Sequence, residues 1–467
     1  MLEQNPIITQ ARELLNKAVV TYNKKPVGTV AALNAGEEAL NYDQVFTRDF
    51  FISAAAFVLD GEFEIVKNFL SVTADMQGLN TSMDCFHAGK GLMPASFKIE
   101  SKNGQETLES DFGEKAIGRV TPVDSSLWWL YLLRIYTKAS GDVEFAGEEK
   151  ITHAVKEILA HYATGYFELI PTLLVPDGAF MIDRRMGMYG HPLDIQVLLY
   201  TALRSAREIF EYNRKKNDEY VKEINHRIEH LVYHLNKYYW LDRKKLNDVY
   251  RYKTEQFGLE VSNQYNIYSG SIPGWVDSFI PDDGGYYVGN LGPGRMDFRF
   301  LSIGNLLGII SGLADKKKAS ELARLIIHNR GAIIGKMPVK VCYPALEGKQ
   351  WEIITGYDPK NSAWSYHNGG NWPFIIWFLA AAAAIAGTPI LTDQDLETFS
   401  KRLSNDKWPE YYDGIEGRII GKEARELQLW TIAGYIVADH ILKDPDKISI
   451  FAFEPEDREL TCSINRV

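Results

Sequence analysis

Phe50 to Met76 reads FFISAAAFVLDGEFEIVKNFLSVTADM, and two kinds of helix stand side by side in it. In the second half Ile65, Phe69, Val72 and Met76 share one face at amphipathic spacing, while Glu64, Lys67 and Asp75 fall elsewhere. The first half, Phe50 to Leu59, is apolar nearly all round, as suits a helix covered on both sides. Working outward, the wet kind recurs in Thr9 to Tyr22, Lys150 to Tyr162, Asp218 to Trp240, Lys317 to His328 and, more weakly, Thr392 to Leu403. The buried kind recurs in Ser126 to Tyr136, Ile195 to Phe210, Phe300 to Leu313, Phe374 to Ala386 and Leu427 to Leu442.

Six wet helices largely alternating with six buried ones predict an all-α fold, an (α/α)6 toroid whose inner ring is sheathed by an outer one. Each inner helix needs the outer layer over its second face, so the repeats cannot fold separately. Length alone, at 467 residues, would suggest several domains. The ring overrides that and predicts a single catalytic domain over 1–467. The long segments Leu241 to Arg295 and Gly331 to Ser365 interrupt the repeats. They hold PDDGGYYVGNLGPG and MPVKVCYPAL, which predict short hairpins in loops.

A net charge of −10 argues against binding nucleic acid or an anionic membrane surface, both of which usually need a basic face. Cys85, Cys342 and Cys462 show no metal-ligand spacing and read as free structural thiols. The start MLEQNPIITQARELL lacks the basic and apolar regions of a secretion signal. The apolar run Trp372 to Gly387 falls short of the roughly 18 residues that a membrane span needs. A soluble cytoplasmic protein is expected, and assembly of identical subunits stays open.

The residues just before the buried helices carry the functional signal. They read TRDF from Thr47, TPVDSSLWW from Thr121, HPLDIQ from His191, MDFRF from Met296, WSYHNGGNWPF from Trp364 and RELQLWT from Arg425. Inner helices of a toroid point one way, so these six clusters would converge on one end and form a pocket floor. Thr47, Asp124, Asp194 and Asp297 also suit plain N-caps. Capping does not explain Arg48, Arg299, the pair Trp128 and Trp129, or the cluster around His367.

Aromatic rings beside carboxylates, amides and arginines describe a sugar site, with pyranose faces on indole and hydroxyls on polar groups. Trp128, Trp129, Trp364, Trp372, Trp408 and Trp430 all sit in or near these clusters. Glycoside hydrolysis needs two carboxyl groups, one protonated and one ionised. The candidates are Asp49, Asp124, Asp183, Asp194, Asp297, Glu410, Asp413 and Glu426. Those at helix starts are expected to have lowered pKa values from the helix dipole and so to bind hydroxyls. Asp183 and Glu410 stand in loops between apolar or aromatic residues that could desolvate a carboxyl.

The runs MIDRRMGMYGHPLDIQ from Met181, WSYHNGGNWP from Trp364 and WPEYYDG from Trp408, with FTRDF from Phe46 and TPVDSSLWW, resemble the alkaline/neutral invertases, glycoside hydrolase family 100 of cyanobacteria and plants. The resemblance spans roughly Asp43 to Leu442. It implies sucrose as substrate, an inverting mechanism, a cytosolic location and no metal or other cofactor. It makes Asp183 the general acid and Glu410 the general base. The long N-terminal extensions of plant members are not seen here, which implies a cyanobacterial type. Asp194 stands where Glu would be as readily expected.

For the sugar contacts, position before the helices selects Arg48 and Asp49, Asp124 with Trp129, Tyr189 with His191, Arg299, His367 with Asn368, and Gln428. Arg184 and Arg185 either hold sugar hydroxyls or pair with carboxylates, and at least one should point away from Asp183. Two alternatives stand beside hydrolysis. One is a sugar epimerase or isomerase using paired histidines among His87, His191 and His367. The other is a catalytically silent toroid that binds a carbohydrate or a protein.

Overall fold

The computed structural model describes residues 5–33, 41–79, 89–102, 104–114, 121–162, 170–175, 178–182, 186–188, 190–212, 214–255, 263, 265–292 and 295–456. Twelve of its helices alternate between two environments and are numbered α1 to α12 along the chain. The odd ones are α1 (Pro6–Lys17), α3 (Phe63–Asp75), α5 (Glu149–Tyr162), α7 (Arg214–His234), α9 (Lys316–His328) and α11 (Asp393–Asn405). The even ones are α2 (Thr47–Asp60), α4 (Ser125–Ser140), α6 (Leu193–Glu211), α8 (Ser302–Ile310), α10 (Ile376–Ala386) and α12 (Leu429–Lys443).

Odd helices bury one stripe. In α3 it is Ile65, Val66, Phe69 and Leu70, and in α9 it is Leu322, Leu325 and Ile326. Even helices are buried almost throughout, as in the unbroken runs Phe50 to Val58 of α2 and Ile376 to Ala383 of α10. Burying each Leu, Ile or Phe fully contributes roughly 1.5–3 kcal/mol. A helix without a wet face therefore gains only when neighbours cover it on all sides. Helix α2 packs on α4, α4 on α6, α6 on α8, α8 on α10, α10 on α12, and α12 back on α2. The even helices thus close a ring, with α1 and α11 against α12, α3 against α2 and α4, α7 against α6, and α9 against α10.

The far end of the ring, where the even helices finish, is crossed by the C-terminal segment. Arg134 Nη1 donates to the carbonyls of Ile450 and Phe451 at 3.0 Å each, and Arg204 Nη1 donates to Glu454 O at 2.8 Å. These cations satisfy a segment that has few backbone partners of its own.

Strands support the other end, where the even helices start. The first long segment holds an expected hairpin, Gly285–Gly292 turning back on Arg295–Leu301, with Trp240–Asp242 pairing with Gly285–Gly292; the second shows no hairpin of its own among the described residues, its Cys342–Tyr343 pairing instead with Arg295–Leu301. Phe300 and Leu301 therefore belong to a strand rather than to α8, which starts at Ser302. Val19–Tyr22 likewise leaves the predicted first helix to form a hairpin with Lys25–Thr29, turning at Asn23 and Lys24 with φ of 49° and 65°. A hairpin of Ser96–Lys102 and Gln105–Asp111 was not anticipated, although the alternation in SFKIESK points Phe97 inward and Lys98 outward. It anchors the start of α2, since Thr47 N donates to Ala95 O at 3.0 Å and Thr47 Oγ1 to Pro94 O at 2.6 Å.

Close packing within the ring makes a paired prediction about α8. A Cβ on Gly304 would lie 2.5 Å from Asp194 Oδ1 and 2.8 Å from Leu193 Cγ, whereas one on Gly308 meets nothing closer than Tyr287 at 3.6 Å. Gly304→Ala is expected to destabilise by about 1–3 kcal/mol through overpacking. Gly308→Ala is expected to be neutral or stabilising by up to about 1 kcal/mol from helix propensity. Urea unfolding of both variants checks this, and equal effects would refute the packing account.

Candidate functional site

The six sequence clusters lie at the end where the even helices begin, and some touch directly, Arg48 Nε lying 3.2 Å from Asp124 Oδ2 and the Phe374 ring stacking on Trp430. Short bridges tie three of them to neighbouring loops: Pro192 pairs with Asn290, Asn371 with Lys340 and Tyr412, and Gln428 with Ala32. Four bulky residues of these loops, Trp364, Tyr366, Trp408 and Leu427, adopt left-handed backbone with φ of 64°, 48°, 54° and 50°. Each such residue costs of order 1–3 kcal/mol, which the surrounding structure has to over-determine, and such strain clusters at functional sites.

Glu410 is 2% exposed, between the buried Trp408 and Tyr411. Tyr42 Oη donates to its Oε1 at 3.0 Å and Arg425 N donates to its Oε2 at 3.4 Å. Burial raises the pKa of this carboxyl above its ordinary value, opposed by the charge of Lys360, the Tyr42 hydroxyl and Arg425. Tyr42 went unnoticed in the sequence because it precedes the TRDF cluster and lies in no helix pattern.

From Glu410 a line of carboxyls runs along the helix starts. Burial pushes Asp49 up to about 7, with the charges of Glu410 and Asp124 adding to the rise and Arg48 opposing it. Arg48 Nε lies 3.2 Å from Asp124 Oδ2, and Trp128 Nε1 donates to the same oxygen at 3.3 Å. Asp124 is raised by burial against both partners. Asp194 Oδ1 accepts from Gly304 N, in the first turn of the next ring helix, at 2.8 Å, and burial pushes its carboxyl up to about 7. The expectation of lowered pKa values at helix starts is therefore corrected, because desolvation outweighs the helix dipole at these three positions. The N-cap reading is corrected too. Asp124 occupies the cap position of α4 without a capping hydrogen bond, Thr47 bonds Pro94, Asp194 serves a neighbouring helix, and Asp297 pairs with Arg299.

Arg299 is gripped by Asp297, its Nη2 lying 2.6 Å from Oδ2, and it also meets Met188 Sδ at 3.0 Å. His191 Nδ1 lies 2.8 Å from Thr172 Oγ1, and burial lowers its pKa. His367 stacks on Tyr366 with centroids 4.0 Å apart and lies 5.2 Å from Trp372. Asp124 Oδ1, Asp194 Oδ2, Arg299 Nη1 and Gln428 Oε1 are buried without a hydrogen-bond partner among the described residues. Buried polar atoms of that kind are rare in native structures and call for an explanation.

Two selected residues sit elsewhere. Trp129 is fully buried and donates from Nε1 to Thr73 Oγ1 at 2.8 Å, facing α3; the tryptophan of the pair that reaches the ring's interior is Trp128. Asn368 is 0% exposed and braces the loop, with Nδ2 on Leu346 O and Asn361 O and Oδ1 accepting from Leu346 N. Asp183, Arg184, Arg185, Tyr189 and His87 lie outside the described residues. So do Cys85 and Cys462. On either side of 183–185, however, Met181, Ile182 and Met186 are buried, and Met181 lines a narrow cavity with Arg48, Trp128 and Phe374.

A family model described as alkaline and neutral invertase matches residues 11–445. The chain is 46% identical over 467 residues to a cytosolic invertase 1 of Oryza sativa subsp. japonica, covering 99% of this chain and 83% of that one. It is 49% identical over 470 residues to a mitochondrial neutral/alkaline invertase 1 of the same plant, covering 98% of this chain and 74% of the other. In three dimensions it is similar to a bacterial glucoamylase complexed with acarbose, with TM-score 0.54 over 95% of this chain and 57% of that one at 12% identity. That likeness speaks for the fold, mostly helical and akin to glycosidases of the (α/α)6 type.

Asp194 makes the electrostatics testable. With a folded pKa of about 7 it holds its proton more tightly in the folded chain than in the unfolded one. The folded state is therefore penalised progressively as pH rises from about 4 through about 7. Asp194→Asn keeps an acceptor for Gly304 N and carries no charge. Its melting temperature is expected to gain on the wild type by several degrees between about pH 5 and about pH 8. A difference that does not change with pH would refute the raised value.

Proposed function

The chain belongs to the alkaline and neutral invertase family, and from that premise we propose that it hydrolyses sucrose to glucose and fructose in one inverting displacement, with Asp183 as general acid and Glu410 as general base. The observation that carries the assignment is the setting of Glu410. It is a buried carboxylate with two fixed hydrogen-bond donors and two nearby cations, which favour the ionised form that burial alone would suppress. A water held by Glu410 gives up its proton to that carboxylate as its oxygen attacks the anomeric carbon. Asp183 gives its proton to the departing glycosidic oxygen, and the C–O bond breaks with inversion. The two carboxyls are expected about 6.5–9.5 Å apart to leave room for the water.

Arg48, Asp49, Asp124, Tyr189, His191, Arg299, His367 and Gln428 are proposed as the hydroxyl contacts. The support is the buried, unpartnered atoms on three of them, Asp124 Oδ1, Arg299 Nη1 and Gln428 Oε1, since a sugar hydroxyl both donates and accepts. Trp128, beside Phe51 and Phe374 on the cavity wall, replaces Trp129 as the ring for a sugar face. The closed ring of even helices is read as the inner layer of an (α/α)6 toroid forming one catalytic domain over 1–467. A cytoplasmic location is proposed from the cytosolic relative, and no helix among the described residues is long and apolar enough to cross a membrane.

Replacing Asp183 or Glu410 by Ala is expected to lower kcat on sucrose by about 10²–10⁴-fold, the usual worth of a positioned acid or base. NMR of the first-formed anomer should show configuration opposite to that in sucrose at the carbon whose bond breaks. Near-normal turnover by either variant, or retention, would sink the assignment. A finer expectation concerns Tyr42. Its hydroxyl favours ionised Glu410, so Tyr42→Phe should move the acid limb of the kcat profile to higher pH, whereas a residue of purely structural importance would leave that limb in place.

A further inference from the structure

Lys360 belongs to none of the six clusters and stands just ahead of the one that begins at Trp364. Its backbone is pinned to the site. Lys360 N donates to Asp358 Oδ1 at 3.0 Å, and Asn361 Nδ2 donates to Asp358 Oδ2 at 3.1 Å. Asn361 in turn accepts from His367 N at its Oδ1 and from Asn368 Nδ2 at its carbonyl, each at 3.1 Å. The turn that carries Lys360 is therefore tied to the loop that carries His367.

The side chain is held as well. Lys360 Nζ sits 3.9 Å from the centroid of the Tyr366 ring. His367 stacks on the same ring with centroids 4.0 Å apart and 26° between the planes, so it takes one face and the ammonium takes the other. A cation is attracted to the face of a tyrosine, which favours this rotamer over the many others open to a lysine. The edge of the sandwich leads to the base, because Tyr366 meets Tyr411, the residue after Glu410, with centroids 5.4 Å apart.

What the ammonium has not met is a partner for its N–H groups. Among the described residues it touches the Tyr366 ring and acts by charge on Glu410, with no hydrogen bond and no ion pair. The carboxylate nearest in sequence, Asp358, bonds the amides of the turn. Of the influences that oppose the burial of Glu410, the charge of Lys360 is the largest. Opposite charges that attract and yet stay unpaired leave a gap between them. A hydroxyl fills such a gap with both bonds made, since it accepts from an ammonium and donates to a carboxylate or to the water on it.

Inversion says which sugar carries that hydroxyl. Water attacks from the face that the base serves, and the leaving sugar departs from the opposite face. A donor beside Glu410 therefore addresses the ring that keeps the attacked carbon.

We propose that Lys360 is a substrate-binding residue, its ammonium, seated on Tyr366, donating to a hydroxyl of the sugar whose anomeric carbon is attacked. The assignment rests on the reading of Glu410 as the base.

The test separates direct contact from an effect passed through Glu410. In a Glu410→Gln background, which has no carboxylate there to tune, sucrose, glucose and fructose are titrated calorimetrically against chains with Lys360, Lys360→Met and Lys360→Arg. Lys360→Met is expected to weaken sucrose binding at least about tenfold, the worth of one hydrogen bond from a charged donor, and Lys360→Arg to recover most of the loss. Of the two product sugars, only the one whose anomeric carbon is inverted should weaken. Unchanged sucrose binding in Lys360→Met would overturn the proposal, because Lys360 would then act through Glu410 alone. So would a loss confined to the departing sugar, or a loss that Lys360→Arg leaves unrepaired. Hydrolysis of sucrose by Glu410→Gln at a near-normal rate would count against the base instead, and the binding of glucose and fructose would still decide whether Lys360 holds a sugar.

Discussion

Everything in this molecule depends on six helices that have no wet face. A helix such as α10, apolar from Ile376 to Ala383, cannot be stable at a surface, and only mutual cover within a ring plus an outer sheath removes its exposed area. Closure matters as much as cover, because α12 must return to α2 for either to be buried. The ring is therefore held by the chain's two ends, far apart in sequence, and not by any one repeat. Once closed, it brings helix starts drawn from the whole length of the sequence onto one small area.

That convergence has an electrostatic consequence which local reasoning misjudges. A helix N-terminus stabilises an anion by a few tenths to about 1 kcal/mol, while burial of a carboxylate costs several. Asp49 and Asp194 accordingly rise to about 7 although each stands in a first turn. Their neighbours Glu410 and Asp124 reinforce the rise for one or the other. The mouth of the ring is thus a place where carboxyls hold protons near neutrality. A group that must be ionised there, such as Glu410, needs Tyr42, Arg425 and Lys360 to counter its burial.

The helices were legible in the sequence because period 3.6 and all-round apolarity are local signals, so all twelve could be placed from the pattern of apolar residues, with some ends misjudged. The first predicted helix overran into Val19–Tyr22 because Leu15, Val19 and Tyr22 happen to keep the i, i+4, i+7 spacing of a helix face. Trp128 and Trp129 mark another limit. Adjacent helical residues point about 100° apart, so one enters the ring and the other meets Thr73 on α3, and nothing local says which. Asn368 was misplaced for a related reason. Glycine-rich loops both display side chains and need bracing, and its amide does the bracing through Leu346 and Asn361. Tyr42 was invisible because its partner is 368 positions away.

The two ends of the ring are built on opposite logic. Where the even helices begin, acids gather and are desolvated, and Asp124 Oδ1 and Asp194 Oδ2 are left there without partners among the described residues. Where they finish, arginines and lysines gather. Arg134 and Arg204 are spent on the carbonyls of the crossing C-terminal segment, and Lys245 on the carbonyls that close α7. Cations at helix C-termini are what the unpaired carbonyls there demand. The neighbouring lysines are engaged by side chains instead, Lys237 donating to Tyr233 Oη at 2.7 Å and Lys318 pairing with Asp315 at 3.0 Å.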